Sequence, residues 1–176
     1  RVYEYDGTSW NKLGQDIDGE TADDQSGYSV SLSSDGTIVA IGAPFNNGNG
    51  NILGHVRVYE WNDSTTQWEQ LGDDIDGEAD DDYSGYSVSL SADGTIVAIG
   101  ALFNDGGGNN SGHVRVYKYD GTDWDKLGDD IDGEAVNDYN GQSVSLSADG
   151  TIVAIGAHYN GGNWVQSGHV RVYEYD

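Results

Sequence analysis

The tripeptide Arg-Val-Tyr stands at Arg1, Arg57, Arg115 and Arg171, so the 176-residue chain repeats with periods of 56, 58 and 56 residues. Residues 1–56 and 115–170 align without gaps, with 38 identities in 56 positions. The middle copy fits after one two-residue insertion, where Asn62-Asp63-Ser64-Thr65-Thr66-Gln67 replaces Asp6-Gly7-Thr8-Ser9. Self-similarity of this kind means one supersecondary unit used again and again, each copy burying its apolar face against its neighbours. The sequence repeats are 1–56, 57–114 and 115–170, with the start of a fourth at 171–176.

Each copy carries four short β-type runs. Tyr28-Ser29-Val30-Ser31-Leu32-Ser33 alternates apolar and small polar residues, as a half-buried strand does. Thr37 to Ala43 is apolar on both faces and β-branched, and reads as a central strand. His55 to Trp61 alternates again, and Trp68-Glu69-Gln70-Leu71-Gly72 reads as an edge strand. Asp35-Gly36, Asp93-Gly94 and Asp149-Gly150 supply tight turns between the first two strands. The loop from second to third strand is long, rich in Gly and Asn, and variable: 46–54, 104–112 and 160–168. The fourth strand passes to the next copy through Asp-Ile-Asp-Gly-Glu and an acidic stretch.

Four hairpin-linked antiparallel strands, repeated, predict an all-β array of tandem four-stranded blades of β-propeller type. The expected units are outer strands of a partial blade at 1–20, blades at 21–78 and 79–134, and an incomplete blade at 135–176. Ser, Ala and Gly on the first two strands would let sheets approach closely where blades converge. Three copies cannot close a ring, which typically needs 4–8 blades. A closed ring therefore requires further blades, and an open stacked array is the alternative. The chain has no Met, and residues 171–176 repeat residues 1–6. This is expected of a window from a longer array. The alternative is a mature chain whose ends pair with each other or with a neighbour.

These units resemble the FG-GAP repeats of the integrin α-subunit propeller. Ser26-Gly27-Tyr28-Ser29-Val30 matches the first part of that pattern, with Ser in place of Phe. Ile38 to Pro44 matches the second and ends in Gly42-Ala43-Pro44, and Gly54-His55-Val56-Arg57-Val58-Tyr59 matches the third. The resemblance covers nearly the whole chain and implies extracellular adhesion or scaffolding. It also implies a calcium loop between the first two strands. Here that turn is only Ser-Asp-Gly or Ala-Asp-Gly, too short to wrap a cation with six to eight oxygens. The calcium role therefore does not carry over to Asp35, Asp93 or Asp149.

The acidic segment between blades is the main candidate site. Asp16, Asp18, Glu20 and Asp24 recur as Asp74, Asp76, Glu78 and Asp82, and again as Asp130, Asp132, Glu134 and Asp138. Alternating Asp around a Gly turn is an oxygen-rich arrangement that suits calcium. Two further readings stand beside it: a solvated acidic turn that discourages edge pairing, and carboxylates capping backbone N–H groups at the blade junction. Trp164 replaces a loop Gly in the third copy only and is the candidate ligand contact. Trp10, Trp68 and Trp124 admit sugar stacking, but cover of the blade's apolar face is the expected role. The sequons at Asn62 and Asn109 are candidate glycosylation sites, or chance in a chain rich in Asn and Ser.

The charge narrows the partners. With 31 Asp+Glu against 7 Lys+Arg the net charge is −24, which argues against nucleic acid and anionic membrane surfaces. The absence of Cys excludes disulfides, thiolate metal sites and a cysteine nucleophile. No apolar run is long enough for membrane insertion. A paired-carboxylate glycosidase needs two unlike carboxyls across one cleft, which threefold repetition does not call for. Ser29 lacks a nucleophile-elbow setting, and no Gly-x-x-x-x-Gly-Lys loop occurs. His55, His113 and His169 recur at one strand start and read as packing or hydrogen-bonding residues. The function expected is a non-enzymatic extracellular or cell-surface structural or adhesive repeat protein, a segment of a longer array or filament. Its partners would be further repeats or copies of itself. The alternative is a calcium-assisted module binding a glycan or an extracellular protein.

Overall fold

The computed structural model describes residues 1–47, 52–161 and 166–175. Trp164 lies outside the described residues. Fifteen strands are present and no helix among the described residues. They form four antiparallel sheets in a row. The first is β1 (Tyr3–Tyr5) with β2 (Trp10–Lys12). The second runs β3 (Ser29–Leu32), β4 (Ile38–Ala43), β5 (His55–Asn62), β6 (Gln67–Gln70), with β7 (Ile75–Asp76) also on β5. The third repeats this as β8 (Ser87–Leu90), β9 (Ile96–Ala101), β10 (His113–Tyr119), β11 (Trp124–Lys126) and β12 (Ile131–Asp132). The fourth is β13 (Ser143–Leu146), β14 (Ile152–Ala157) and β15 (His169–Glu174). The fold is an all-β array of tandem blades, and the sheets do not close on one another.

The acidic segment is only partly a connection. The outer strand pairs Tyr59 with Gln70, breaks at Gly72 (φ 74°), and resumes as Val56 opposite Ile75 and His55 opposite Asp76. The Asp-Ile-Asp run, expected to link blades, therefore supplies strand residues in the second and third sheets. Only then does the chain cross to the next blade.

Blades stack through the small residues of their inner strands. Ser29 Oγ donates to the Gly85 carbonyl at 2.7 Å, and Ser87 Oγ to the Gly141 carbonyl at 2.7 Å. Leu90 N–H donates to Ser31 Oγ, and Leu146 N–H to Ser89 Oγ. Outside this seam lie the apolar layers. Ile38, Ala40, Val56 and Val58 of one blade pack on Leu90, Val97, Ile99 and Trp124 of the next. Ala98, Val114 and Val116 pack on Val153 and Ile155 in the same way.

The tryptophans close the outer edge. Trp68 and Trp124 are buried, and each indole N–H reaches back to the preceding blade, to the Leu13 and Leu71 carbonyls at 3.0 and 2.7 Å. Trp10, in the two-stranded sheet, is 68% exposed.

Each β3–β4 type turn is held by an Asp. Asp35 Oδ1 accepts from the Ser33 hydroxyl and from the Thr37 hydroxyl and N–H, and these bonds hold its carboxyl down at about 2. Asp93 and Asp149 repeat the arrangement. In each the turn itself engages Oδ1.

Candidate functional site

The register places the long β4–β5 loop, the start of β3 and the end of β7 at one end of the blade. The connections between blades run at this same loop end. Segment 77–86 is pinned to the preceding loop: Asp81 N–H donates to the Ile52 carbonyl, Ser84 N–H to Leu53 and Gly77 N–H to Gly54. Gly54 and Ser84 also form a parallel bridge. All twelve candidate carboxylates sit at or beside this end, but they divide into three groups with different work.

Asp24, Asp82 and Asp138 are buried caps. Asp82 Oδ2 accepts from the Ala79 N–H (3.1 Å) and the Asn104 amide (3.0 Å). Asp138 does the same with Ala135 and Asn160. Asp24 accepts from Thr21 N–H, Thr21 hydroxyl and the Asn46 amide. Asp24 and Asp82 titrate in opposite directions from the ordinary value. Burial pushes Asp82 up, and its two bonds do not offset this. Burial also acts on Asp24, but the Thr21 hydroxyl and N–H bring it below the ordinary value. Ala79 has no hydroxyl to give.

This difference sets a prediction. Both bonds to Asp82 fall on one oxygen, so Asp82→Asn can keep that oxygen and turn its NH₂ outward. Asp24 accepts on both oxygens, so Asp24→Asn must place an NH₂ against a donor. Asp24→Asn should cost about 1–3 kcal/mol and Asp82→Asn clearly less, measured by urea unfolding. The Asp24 contribution is fully present above the ordinary value of 3.8 and is lost as the pH falls through the depressed one. Asp82 acts with the opposite sign: its raised value weakens the fold as the pH climbs past 3.8.

The second group is strand-borne or faces solvent. Asp76 and Asp132 are exposed strand ends opposite His55 and His113, and partial burial pushes Asp76 up. Asp18 is exposed, and its carbonyl accepts from Arg57 Nη2 at 2.8 Å. Asp16 pairs with Arg1 and Lys12.

The third group gathers carboxylates from consecutive repeats around a histidine. Glu20, His55 and Asp74 bring ligand atoms within 4.8 Å of one another, and so do Glu78, His113 and Asp130. His55 Nδ1 lies 3.6 Å from Asp74 and 3.9 Å from Glu20. His113 Nδ1 lies 3.9 Å from Asp130. In the third copy Glu134 pairs with Arg171 and lies 3.9 Å from His169. Among the described residues, the four carboxylates of a single copy do not converge; the glutamate and histidine of one copy meet the aspartate of the next. The recurrence of the histidine at one strand start points to packing or hydrogen bonding, and carries no signal for the carboxylates that face it.

Aromatic rings make a second feature of the same end. Phe45, Phe103 and Tyr159 come from the β4–β5 type loops, and Tyr83 and Tyr139 from the connections. They alternate in one row: Phe45–Tyr83 at 5.0 Å between ring centres, Tyr83–Phe103 at 4.9 Å, Phe103–Tyr139 at 5.5 Å, Tyr139–Tyr159 at 5.3 Å. Tyr28 joins beside Phe45, and its hydrogen bond with Tyr86 helps push its hydroxyl up to about 12. Tyr28 and Tyr159 are exposed and the other ring members half-buried. Tyr83 and Tyr139 sit at φ 58° and 54°, left-handed backbone that an aromatic residue adopts only under constraint. The cap at Asp82 and its counterpart at Asp138 supply that constraint.

The sequons divide. The Asn62 amide donates to Glu69 at 3.0 Å while its oxygen accepts from Ser64 and Thr65. Asn109 is exposed, but its sequon partner Ser111 is fully buried.

No protein-family model and no curated protein matches this chain. Among solved structures, it resembles the periplasmic gluconolactonase of Pseudomonas aeruginosa, with a TM-score of 0.60 and 19% identity over 99% of this chain and 45% of that one. The Kuenenia stuttgartiensis hydrazine synthase follows at 0.49 and 16%, covering 84% and 45%. A thermostable family-43 glycoside hydrolase follows at 0.43 and 17%, covering 82% and 52%. The chain spans about half the length of the solved structures it matches. The first of these likenesses bears on the fold alone.

Proposed function

We propose that the chain is a non-enzymatic structural or adhesive blade array that works outside the cell and binds an extended glycan along its loop end. The observation that carries this reading is the aromatic row, which runs from Phe45 to Tyr159 without a break across the second and third of the three blade junctions. A site built from equivalent residues of every copy suits a polymeric ligand, which also repeats. Sugar rings present flat C–H faces that match aromatic faces. A net charge of −24 turns away anionic polymers, so a neutral or cationic glycan is the favoured class. The FG-GAP-like order of motifs supports the adhesive half of the reading. The recurrence of each polar group in copy after copy supports the non-enzymatic half.

Binding of the chain to a glycan array tests this directly. The expected result is retention on extended neutral or cationic glycans, with Tyr83→Ala/Phe103→Ala weakening it about tenfold or more, as loss of aromatic anchors does. Retention that is indifferent to the double substitution would overturn the assignment. So would turnover of a bound glycan.

A further inference from the structure

His113 is 3% exposed, and its Nδ1 is buried without a hydrogen-bond partner among the described residues. A buried polar atom without a partner is uncommon in a folded protein and asks for an occupant. This one faces the gap between two carboxylates, Asp130 at 3.9 Å and Glu78 beyond. That separation is too long for a hydrogen bond. It is close to the roughly 3–3.5 Å between ligands that share a small divalent ion. Glu78 is an exposed side chain that pairs with Arg115 and accepts from the Asn104 amide at 3.3 Å, and it closes the remainder by exchanging these partners for the ion.

We propose that the triad Glu78–His113–Asp130, and its counterpart Glu20–His55–Asp74, each takes a divalent transition-metal ion through one imidazole nitrogen and two carboxylates. One nitrogen and two carboxylate oxygens suit zinc or its neighbours better than calcium, which asks for six to eight oxygens. The two carboxylates come from consecutive repeats, so the ion ties one blade to the next. The site is independent of the aromatic row.

The two sites differ in their competitors. Arg115 pairs with Glu78 and holds Asp130 through bonds of 3.1 and 3.0 Å, and Lys126 adds a third at 2.6 Å. At the first junction neutral Gln70 stands in place of that lysine and donates to Asp74 at 2.7 Å. Arg57 there faces Glu20 at 3.6 Å. The first triad keeps more negative charge and binds the ion more tightly.

Calorimetric titration of the full chain with zinc chloride near neutral pH tests the proposal, with calcium chloride as a parallel titrant. One ion per triad is expected. His55→Gln and His113→Gln should each remove one, and the double variant both. Lys126→Gln should tighten the weaker site by about tenfold, through loss of a neighbouring positive charge. Lys126 is exposed, so this arm stands even if a buried histidine variant fails to fold. Zinc uptake that survives the double substitution would overturn the proposal. So would an affinity untouched by Lys126→Gln, or calcium heats that disappear with the histidines.

Discussion

Gly100→Ala is expected to unfold this protein or bring it close. Gly100 lies in β9, and its backbone is ordinary strand, so conformational freedom is not the issue. Space is. A Cβ there would stand 2.1 Å from the Gly141 carbonyl oxygen and 2.4 Å from Ser87 Oγ. Those are the two ends of the hydrogen bond that joins the third sheet to the fourth blade. The methyl group would displace that bond and push backbone away from backbone along the seam. Overpacking a tight site costs about 1–3 kcal/mol and more where nothing can move. Here both obstacles belong to the blade junction, so about 3 kcal/mol or more is expected in urea unfolding. Gly42 has the same surroundings, with the Gly85 oxygen at 2.1 Å. Gly156 supplies the control. Its Cβ would meet only the Ser143 side chain at 2.5 Å, which can rotate away. Gly156→Ala should therefore be far milder, and equal losses at the two positions would contradict close blade stacking as the cause.

Trp124→Ala is expected to cost about 3–5 kcal/mol, the range for truncating a buried tryptophan. The ring lies in the core cluster between the second and third sheets, beside Tyr119 at 5.3 Å. Its indole N–H also holds the Leu71 carbonyl. Trp124→Phe should recover most of the packing and leave the smaller deficit of one hydrogen bond, about 1 kcal/mol. Trp10 is the matching exposed residue, and Trp10→Ala should stay within about 0.5 kcal/mol. Thermal or urea unfolding of these variants separates the roles. A small effect at Trp124 would mean that its ring is available to a ligand instead.

The blades were legible in the sequence because their determinants are local. Alternation in Tyr28–Ser33, the apolar run at Thr37–Ala43 and the Asp-Gly turns each act over a few residues. The close approach of inner strands was also readable, since only Ser, Ala and Gly leave room for it. The candidate site was read less well, because its geometry is made between copies. Spacing showed that Asp16, Asp18, Glu20 and Asp24 recur together, but stacking decides which of them meet. It sends Asp24 inward as a cap, keeps Asp76 in a strand, and carries Glu20 to the histidine of the following blade. The break at Gly72 that turns Ile75 and Asp76 back onto β5 is a bulge without a strong local signal. The aromatic row had a signal that went unread: Phe45, Phe103 and Tyr159 share one offset, and Tyr83 and Tyr139 another. Their left-handed backbone, which sets the rings in line, has no mark in residue type.

On the proposed function, equivalent aromatic positions in successive blades act as one continuous binding surface. Calorimetry with a size series of the oligosaccharide retained best on the array gives the affinity as a function of chain length. Affinity should climb with each added sugar until the chain spans Phe45 to Tyr159, and Tyr83→Ala/Phe103→Ala should flatten the climb. An affinity that saturates with a single sugar, or a climb untouched by the double substitution, would contradict it.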